Sequence, residues 1–129
     1  MQEDKTLHSY KELIVWQKSM DLAVKIYALT AKYPASELYG LTSQTRRSAV
    51  SIPSNIAEGR LRGSRKDFHH FLLISYASAG ELETQLLLAK RLSLGKEPAF
   101  TEVDGLLLEV MKMLNKMLSS LRSWTRHPS

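Results

Sequence analysis

Apolar positions recur every three or four residues in four long segments, a spacing typical of α-helices that bury one face. Turn residues, mostly Pro and Gly, separate the segments, and no segment alternates as a strand would. Long helices with short connections predict an all-α fold, an antiparallel up-and-down four-helix bundle. We expect the bundle to span residues 9–124, with disordered tails at residues 1–8 and 125–129.

The first segment is apolar on two sides. Ser9 and Glu12 form a capping-box pattern, and Pro34 limits the helix to about Tyr33. One stripe comprises Leu13, Trp16, Met20, Ala23 and Tyr27, and the other comprises Val15, Leu22, Ile26, Leu29 and Tyr33. Such a helix is either central in its own domain or shared with a partner subunit. We favour the second alternative and take the Val15–Tyr33 stripe as the candidate oligomer interface.

The second segment begins near Gly40–Thr42 and carries Pro53 where a helix should continue. Proline removes an N–H donor and crowds the carbonyl four residues earlier, so we expect a kink at this position. Ser51 or Ser54 could bond to the freed carbonyl of Ala49. Two helices broken at Pro53 are the alternative.

The third helix is predicted from Arg65, capped by Ser64, to about Leu94, with Gly95 as the residue that ends it. Its small middle residues, including Gly80, predict the close approach of a neighbouring helix. Pro98 fits the first turn of the fourth helix or the loop just before it, and this helix runs to about Ser123. Its apolar seam has alternating four- and three-residue spacing and comprises Val103, Leu107, Val110, Leu114, Met117, Leu121 and Trp124.

Composition narrows the functional classes. The 129 residues contain no Cys, which excludes disulfides and thiolate metal sites. The N-terminal residues lack an apolar signal core, and no apolar run reaches the roughly 18 residues of a membrane span, so a cytoplasmic protein without membrane contact is expected. The 18 Lys and Arg residues exceed the 13 acidic residues, giving a net charge of +5 that suits an anionic partner.

The residues that could carry chemistry do not form a catalytic or metal-binding pattern. His69 and His70 are adjacent and point about 100° apart on a helix, so they cannot grip one metal together. Glu81 and Glu83 lie on different faces, and the Gly59-x-x-x-Gly63 segment lacks the ending of a phosphate loop. We predict no catalytic site, metal or cofactor, and therefore no enzyme.

Basic residues cluster around the second helix and the loop after it. Arginine suits bidentate contacts to phosphate, which makes these side chains candidates for nucleic-acid binding. The alternative is a solvated loop with intersubunit salt bridges to Glu58, Glu81 and Glu83. The candidate residues are Arg46, Arg47, Arg60, Arg62, Arg65, Lys66, Lys90 and Arg91.

Three segments together resemble a known family: Tyr10–Lys18, Gly40–Gly59 and Glu81–Leu86. They are similar to a bacterial four-helix-bundle family encoded in intervening sequences of large-subunit ribosomal RNA genes. That resemblance covers about residues 9–123 and implies a homopentameric ring. A more distant resemblance is to the accessory protein of diversity-generating retroelements, which implies a reverse transcriptase and nucleic acid as partners.

These observations support two hypotheses. The first is a non-enzymatic, ring-forming bundle whose basic surface binds RNA or DNA. The second is a protein-interaction scaffold, for a reverse transcriptase or another partner, that does not bind nucleic acid directly.

Overall fold

The chain folds into four α-helices. The computed structural model describes residues 9–126, with side chains from residue 10 to residue 122. The helices are α1 (Ile14–Thr30), α2 (Ser43–Leu61), α3 (Arg65–Arg91) and α4 (Glu97–Arg126), and no strand occurs in the described range. Helix α1 packs mainly against α2 and α4, and α3 packs against the same two helices. The predicted four-helix bundle is confirmed to that extent. The two predicted tails, except for Thr125 and Arg126 in α4, lie outside the described residues.

Helix α1 begins later than the capping pattern predicts. Residues Ser9–Glu12 form a separate 3₁₀ turn, and Leu13 is extended, with φ −70° and ψ 124°. The chain therefore changes direction between the predicted cap and the α-helix. At the other end α1 stops at Thr30, and Tyr33 N–H bonds to the Thr30 carbonyl in a tighter turn before Pro34.

Helix α2 is continuous through Pro53 and follows a π turn at Leu38–Thr42. The alternative of two helices broken at Pro53 is therefore not observed. Ser54 Oγ donates to the Val50 carbonyl at 2.8 Å, whereas the carbonyl freed by Pro53 is that of Ala49. The expectation that the Ser54 hydroxyl bonds to the Ala49 carbonyl is therefore wrong.

Helix α3 begins as expected, because the Ser64 side chain accepts a bond from Asp67 N–H at 3.1 Å. Its end differs from the prediction. Ser93, with φ 55°, is the left-handed residue, and Leu94 N–H bonds to the Ala89 carbonyl in a Schellman motif. Gly95 has another role, since an added Cβ there would lie 2.7 Å from the Phe100 ring.

The core combines the predicted faces of all four helices. Ile52 and Ile56 of α2 are fully buried, as are Leu72 and Leu82 of α3. The α4 seam is confirmed from Val103 to Leu114, since Val103, Leu107, Val110 and Leu114 are buried. Beyond it Leu118 is the buried residue, and the predicted Met117 and Leu121 pack at the edge of the core. Trp124 lies beyond the described side chains.

Helices α2 and α3 approach each other closely through small residues. Ser75 Oγ donates to the Ile52 carbonyl at 2.9 Å, and the hydroxyls of Ser51 and Ser78 are 2.8 Å apart. An added Cβ at Gly59 would lie 2.7 Å from Cβ of Phe71. The expectation of close packing is confirmed for these positions. It is wrong for Gly80, where an added Cβ would meet nothing within 4 Å, because this residue faces outward.

Ion pairs cross the outer edges of the bundle. Lys18 of α1 pairs with Glu109 of α4 at 2.8 Å, and Lys25 pairs with Glu102 about two helical turns further along α1. Both pairs are partly exposed, so each stabilises the fold by about 1 kcal/mol at most. Within residues 9–126, no helix is long and apolar enough to cross a membrane.

Candidate functional site

Arg46 is docked against the end of α1. Its Nε donates to Thr30 Oγ1 at 2.9 Å, and its guanidinium lies 4.6 Å from the centre of the Tyr27 ring. A second nitrogen reaches the Tyr27 carbonyl at 3.4 Å. The C-terminal end of a helix carries partial negative charge, which attracts a cation. The contacts of Arg46 with the end of α1 therefore stabilise the packing of α2 against α1. Arg47, the next residue, is exposed.

The connection between α2 and α3 carries four of the other candidate basic residues. Arg62 pairs with Glu58 at 3.0 Å and lies 5.1 Å from the centre of the Phe71 ring. Arg60 lies 5.7 Å from the Phe68 ring. Arg65 and Lys66 follow in the first turn of α3, and all four side chains are exposed. The structure therefore brings this group of cations together at one end of α2.

The remaining candidates lie elsewhere. Lys90 forms an ion pair with Asp104 of α4 and lies 5.6 Å from the Phe100 ring, and the neighbouring Arg91 is exposed. Arg46 and Arg60 are separated by about 20 Å of helix at 1.5 Å per residue. The eight predicted residues thus form separate groups along the bundle and do not form one continuous basic surface.

The residues predicted as an oligomer interface are in the core of the single chain. Their exposed fractions do not exceed 7%. They pack against α2 and α4, so they are not available to a neighbouring subunit, and this prediction is wrong. The residues are Val15, Leu22, Ile26, Leu29 and Tyr33.

The other stripe of α1 remains partly exposed and lines an open apolar groove against α2. This α1–α2 groove has a volume of about 560 Å³. Val24 is 68% exposed, and Met20, Tyr27 and Val50 are each more than 40% exposed. The helical spacing in the sequence indicated this stripe. It did not indicate Val24 or the residues of α2 that line the other side of the groove. The lining residues are Tyr10, Trp16, Met20, Ala23, Val24, Tyr27, Val50, Pro53, Ser54 and Ala57.

The groove continues into a more polar depression on α2. This second cavity, about 520 Å³, shares Tyr27, Val50 and Ser54 with the groove and adds Arg46 and Arg47. One end of an apolar surface is therefore bordered by two cations. Such a combination of an apolar centre and a charged rim is typical of protein–protein interfaces.

A polar cleft between α2 and α3 adjoins this depression, with which it shares Arg47 and Ser51. The cleft has a volume of about 460 Å³, and Arg47, Ser48, Glu81 and Gln85 are among its lining residues. Gln85 Oε1 is buried without a hydrogen-bond partner in the described part of the chain. This polar atom was not identified from the sequence, where Gln85 appeared only as part of a motif.

Among the described residues, no group of three or more His, Asp or Glu side chains could hold a metal ion. Burial raises the pKa of Tyr33 to about 12, and its hydroxyl lacks a hydrogen-bond partner in the described range. Tyr33 belongs to the core, so this shift concerns stability.

Comparisons with known proteins agree with the fold. Residues 11–116 match the sequence profile of the 23S rRNA-intervening sequence protein family. A solved structure from Bacteroides thetaiotaomicron VPI-5482, described as a protein with unknown function from the S23 ribosomal protein family, is 30% identical. The match covers 81% of this chain and 98% of that one, with a TM-score of 0.74. No curated protein matches the chain. The chain belongs to the 23S rRNA-intervening sequence protein family.

Proposed function

We propose that this protein is a non-enzymatic scaffold that assembles with further copies of itself through the α1–α2 groove. The observation that carries the proposal is the exposure of apolar side chains from two adjacent helices. Apolar surface of this kind on a folded domain marks interaction sites. A second protein is the alternative occupant, and it would leave the purified chain monomeric.

The proposal includes an antiparallel, up-and-down arrangement of the helices. Contacts between α2 and α3 support it: position 59 lies by position 71, position 52 bonds to position 75, and position 51 bonds to position 78. Between α1 and α4, position 18 pairs with position 109 and position 25 with position 102. In each pair of helices, the residue number in one helix rises as the number of its contact in the other falls, which is the pattern of antiparallel helices. The kink at Pro53 stays a prediction.

Burial of the groove side chains alone does not offset the free-energy cost of association. Full burial of an apolar side chain stabilises by about 1.5–3 kcal/mol, so the exposed fractions of Met20, Val24, Tyr27 and Val50 together offer roughly 4 kcal/mol. Association costs about 4–15 kcal/mol in lost freedom. A stable assembly therefore requires more contact than these four side chains provide. A closed ring supplies it, because every copy then uses two surfaces.

The family resemblance implies a homopentamer. The positive charge of the chain would make such a ring attractive to a polyanionic partner. Five copies at +5 each give about +25 before counterions, a strong field for a polyanion. The ring size is therefore the first quantity to measure.

Light scattering and sedimentation of the purified protein test the assembly. We expect a defined oligomer, and we expect Val24→Glu combined with Val50→Glu to dissociate it while the helical circular dichroism persists. Leu108→Glu is the matched control, because Leu108 is 54% exposed on α4, away from the groove. A wild-type monomer, or an oligomer insensitive to the groove variant, would refute the proposal.

Nucleic-acid binding is the second candidate function. The observation that favours it is the exposed group Arg60, Arg62, Arg65 and Lys66 within seven residues of sequence. Phosphate contacts release counterions, so binding must weaken steeply with salt. The name of the family refers to ribosomal RNA, which makes RNA the first ligand to examine.

A pair of double variants tests this candidate. Arg60→Ala with Lys66→Ala removes two charges at the α2–α3 connection, and Lys112→Ala with Lys116→Ala removes two exposed charges on α4. We expect only the first pair to weaken RNA binding and to reduce its salt dependence by about two phosphate contacts. Equal loss in both would indicate a response to net charge alone, and no binding at low salt would exclude the function.

A further inference from the structure

The outward side of α3 is an apolar helix face that the bundle leaves about half exposed. Leu73 is 47% exposed and Leu87 is 53% exposed, with Leu88 beside it at 46%. Between the leucines lie positions 77, 80 and 84, spaced four, three, four and three residues along the helix. We call Leu73, Ala77, Gly80, Thr84 and Leu87 the α3 face. It is uncharged over about 21 Å of helix.

The glycine at position 80 of the α3 face is unexplained within one chain. Gly80 lowers helix stability by about 1 kcal/mol relative to Ala, yet the space for a Cβ is open. At Gly59 and Gly95, by contrast, phenylalanine side chains occupy that space. Thr84 Oγ1 donates to the Gly80 carbonyl at 2.9 Å, so its polar group is satisfied inside the helix. The face is therefore suited to contact with an apolar surface.

We propose that the α3 face of one copy docks in the α1–α2 groove of the next copy. This inference rests on the proposed self-assembly and names the surface that fills the groove. The groove runs along α1 from Trp16 to Tyr27, about 17 Å of helix, which is close to the length of the α3 face. A helix that enters a groove uses anchors spaced in this way. The small residues Ala77 and Gly80 permit its backbone to approach closely.

The charges beside the two surfaces are complementary. Glu83 is exposed next to the α3 face, and Arg47 is exposed where the groove continues into the depression on α2. Glu81 is set apart, because it lines the α2–α3 cleft together with Arg47 of the same chain. Within the described residues, neither Arg47 nor Glu83 forms an ion pair. Such rim pairs are worth about 1 kcal/mol or less each, so they orient the contact while the apolar residues hold it.

The contact joins two different surfaces, so it is heterologous. Each copy presents a groove to one neighbour and an α3 face to the other, and such contacts close into a ring or continue as a filament. Burial of the exposed fractions of Leu73 and Leu87 offers roughly 2 kcal/mol, about half of what the groove residues offer. The two surfaces together therefore offer roughly 6 kcal/mol, which exceeds the lower end of the association cost.

Cross-linking between copies tests the inference, because the native chain has no cysteine. Val24→Cys and Ala77→Cys are purified separately, mixed to exchange subunits, and treated with a short bis-maleimide. We expect a covalent dimer in the mixture and little product from either variant alone. A mixture of Val24→Cys with Leu108→Cys is the control and should stay uncross-linked. The double variant Val24→Cys with Ala77→Cys should give a ladder that ends at the ring size.

The outcomes separate this inference from the proposal on which it depends. A dimer formed by Val24→Cys alone would show groove-to-groove contact and overturn the inference while self-assembly stands. An intact oligomer in the variant Ala77→Glu would do the same, since position 77 is exposed and the fold should tolerate the change. If the wild-type chain is monomeric in light scattering, the proposed self-assembly itself fails.

Discussion

Gly59 is the position where one added methyl group should have the largest effect on the fold. Its Cβ would lie 2.7 Å from Cβ of Phe71 and 3.4 Å from Cα of Phe68. Carbon atoms pack at about 3.5–4 Å, so Gly59→Ala forces α2 and α3 apart by up to about 1 Å. Overpacking of this kind destabilises by about 1–3 kcal/mol. The same substitution also gains about 1 kcal/mol of helix propensity.

Gly105→Ala is the matched control, because Gly105 lies inside α4 and an added Cβ meets nothing within 4 Å. Both variants gain the same propensity, so the difference between them isolates the clash. Urea unfolding followed by circular dichroism at one protomer concentration gives the two free energies of unfolding. We expect Gly105→Ala to be more stable than wild type by up to about 1 kcal/mol. Gly59→Ala should lie about 1–3 kcal/mol below that control.

Equal stability of the two variants would refute the reasoning. That result would mean that α2 and α3 separate without loss, and that the short distance between Gly59 and Phe71 does not limit their packing. A stabilised Gly59→Ala protein would further mean that helix propensity outweighs the contact. Either outcome would remove the structural reason for glycine at this position.

Three further changes test other parts of the structure. Tyr33→Phe removes a buried hydroxyl that has no partner in the described range, so its stability at pH 7 should equal or exceed that of wild type. Because the folded pKa is raised from 10.0 to about 12, wild type should lose more stability than Tyr33→Phe as pH rises above about 10, by up to roughly 3 kcal/mol, in parallel alkaline urea titrations. Ser64→Ala should lower the free energy of unfolding by about 1 kcal/mol through loss of the α3 cap, whereas Ser64→Gly should lower it by only a few tenths. Gly95→Ala should lower the melting temperature by several degrees, because its Cβ would meet the Phe100 ring at 2.7 Å; unchanged melting would show that the ring can move aside.

Much of the fold could be predicted from local patterns. The spacing of Val103, Leu107 and Val110 predicts the buried side of α4, and the positions of Ile52 and Ile56 predict that of α2. These predictions hold because helical periodicity depends only on neighbouring residues in one segment. The cap at Ser64 likewise depends only on neighbouring residues. The end of α3 was predicted less well, because it also depends on a residue of α4: Phe100 occupies the space at Gly95, and the left-handed turn falls at Ser93.

The candidate site was harder to predict, because it depends on which faces meet. Arg46 and Arg60 belong to one stretch of sequence, but the helix between them places them about 20 Å apart. Arg46 then bonds to the end of α1, a contact that no spacing along α2 indicates. The partly exposed position of Val24 and the open space at Gly80 appear only when the helices are packed.

The sequence by itself determined that the chain forms four amphipathic helices, and that α1 has more apolar surface than one face of a bundle can bury. It did not determine which α1 stripe is inside, because both stripes have helical spacing and similar residue types. Only the packing of α1 against α2 and α4 decided this, by burying Leu22 and Ile26 and leaving Val24 and Tyr27 partly exposed. The physical reason is that periodicity defines the faces of a helix, whereas burial depends on the helices that surround it.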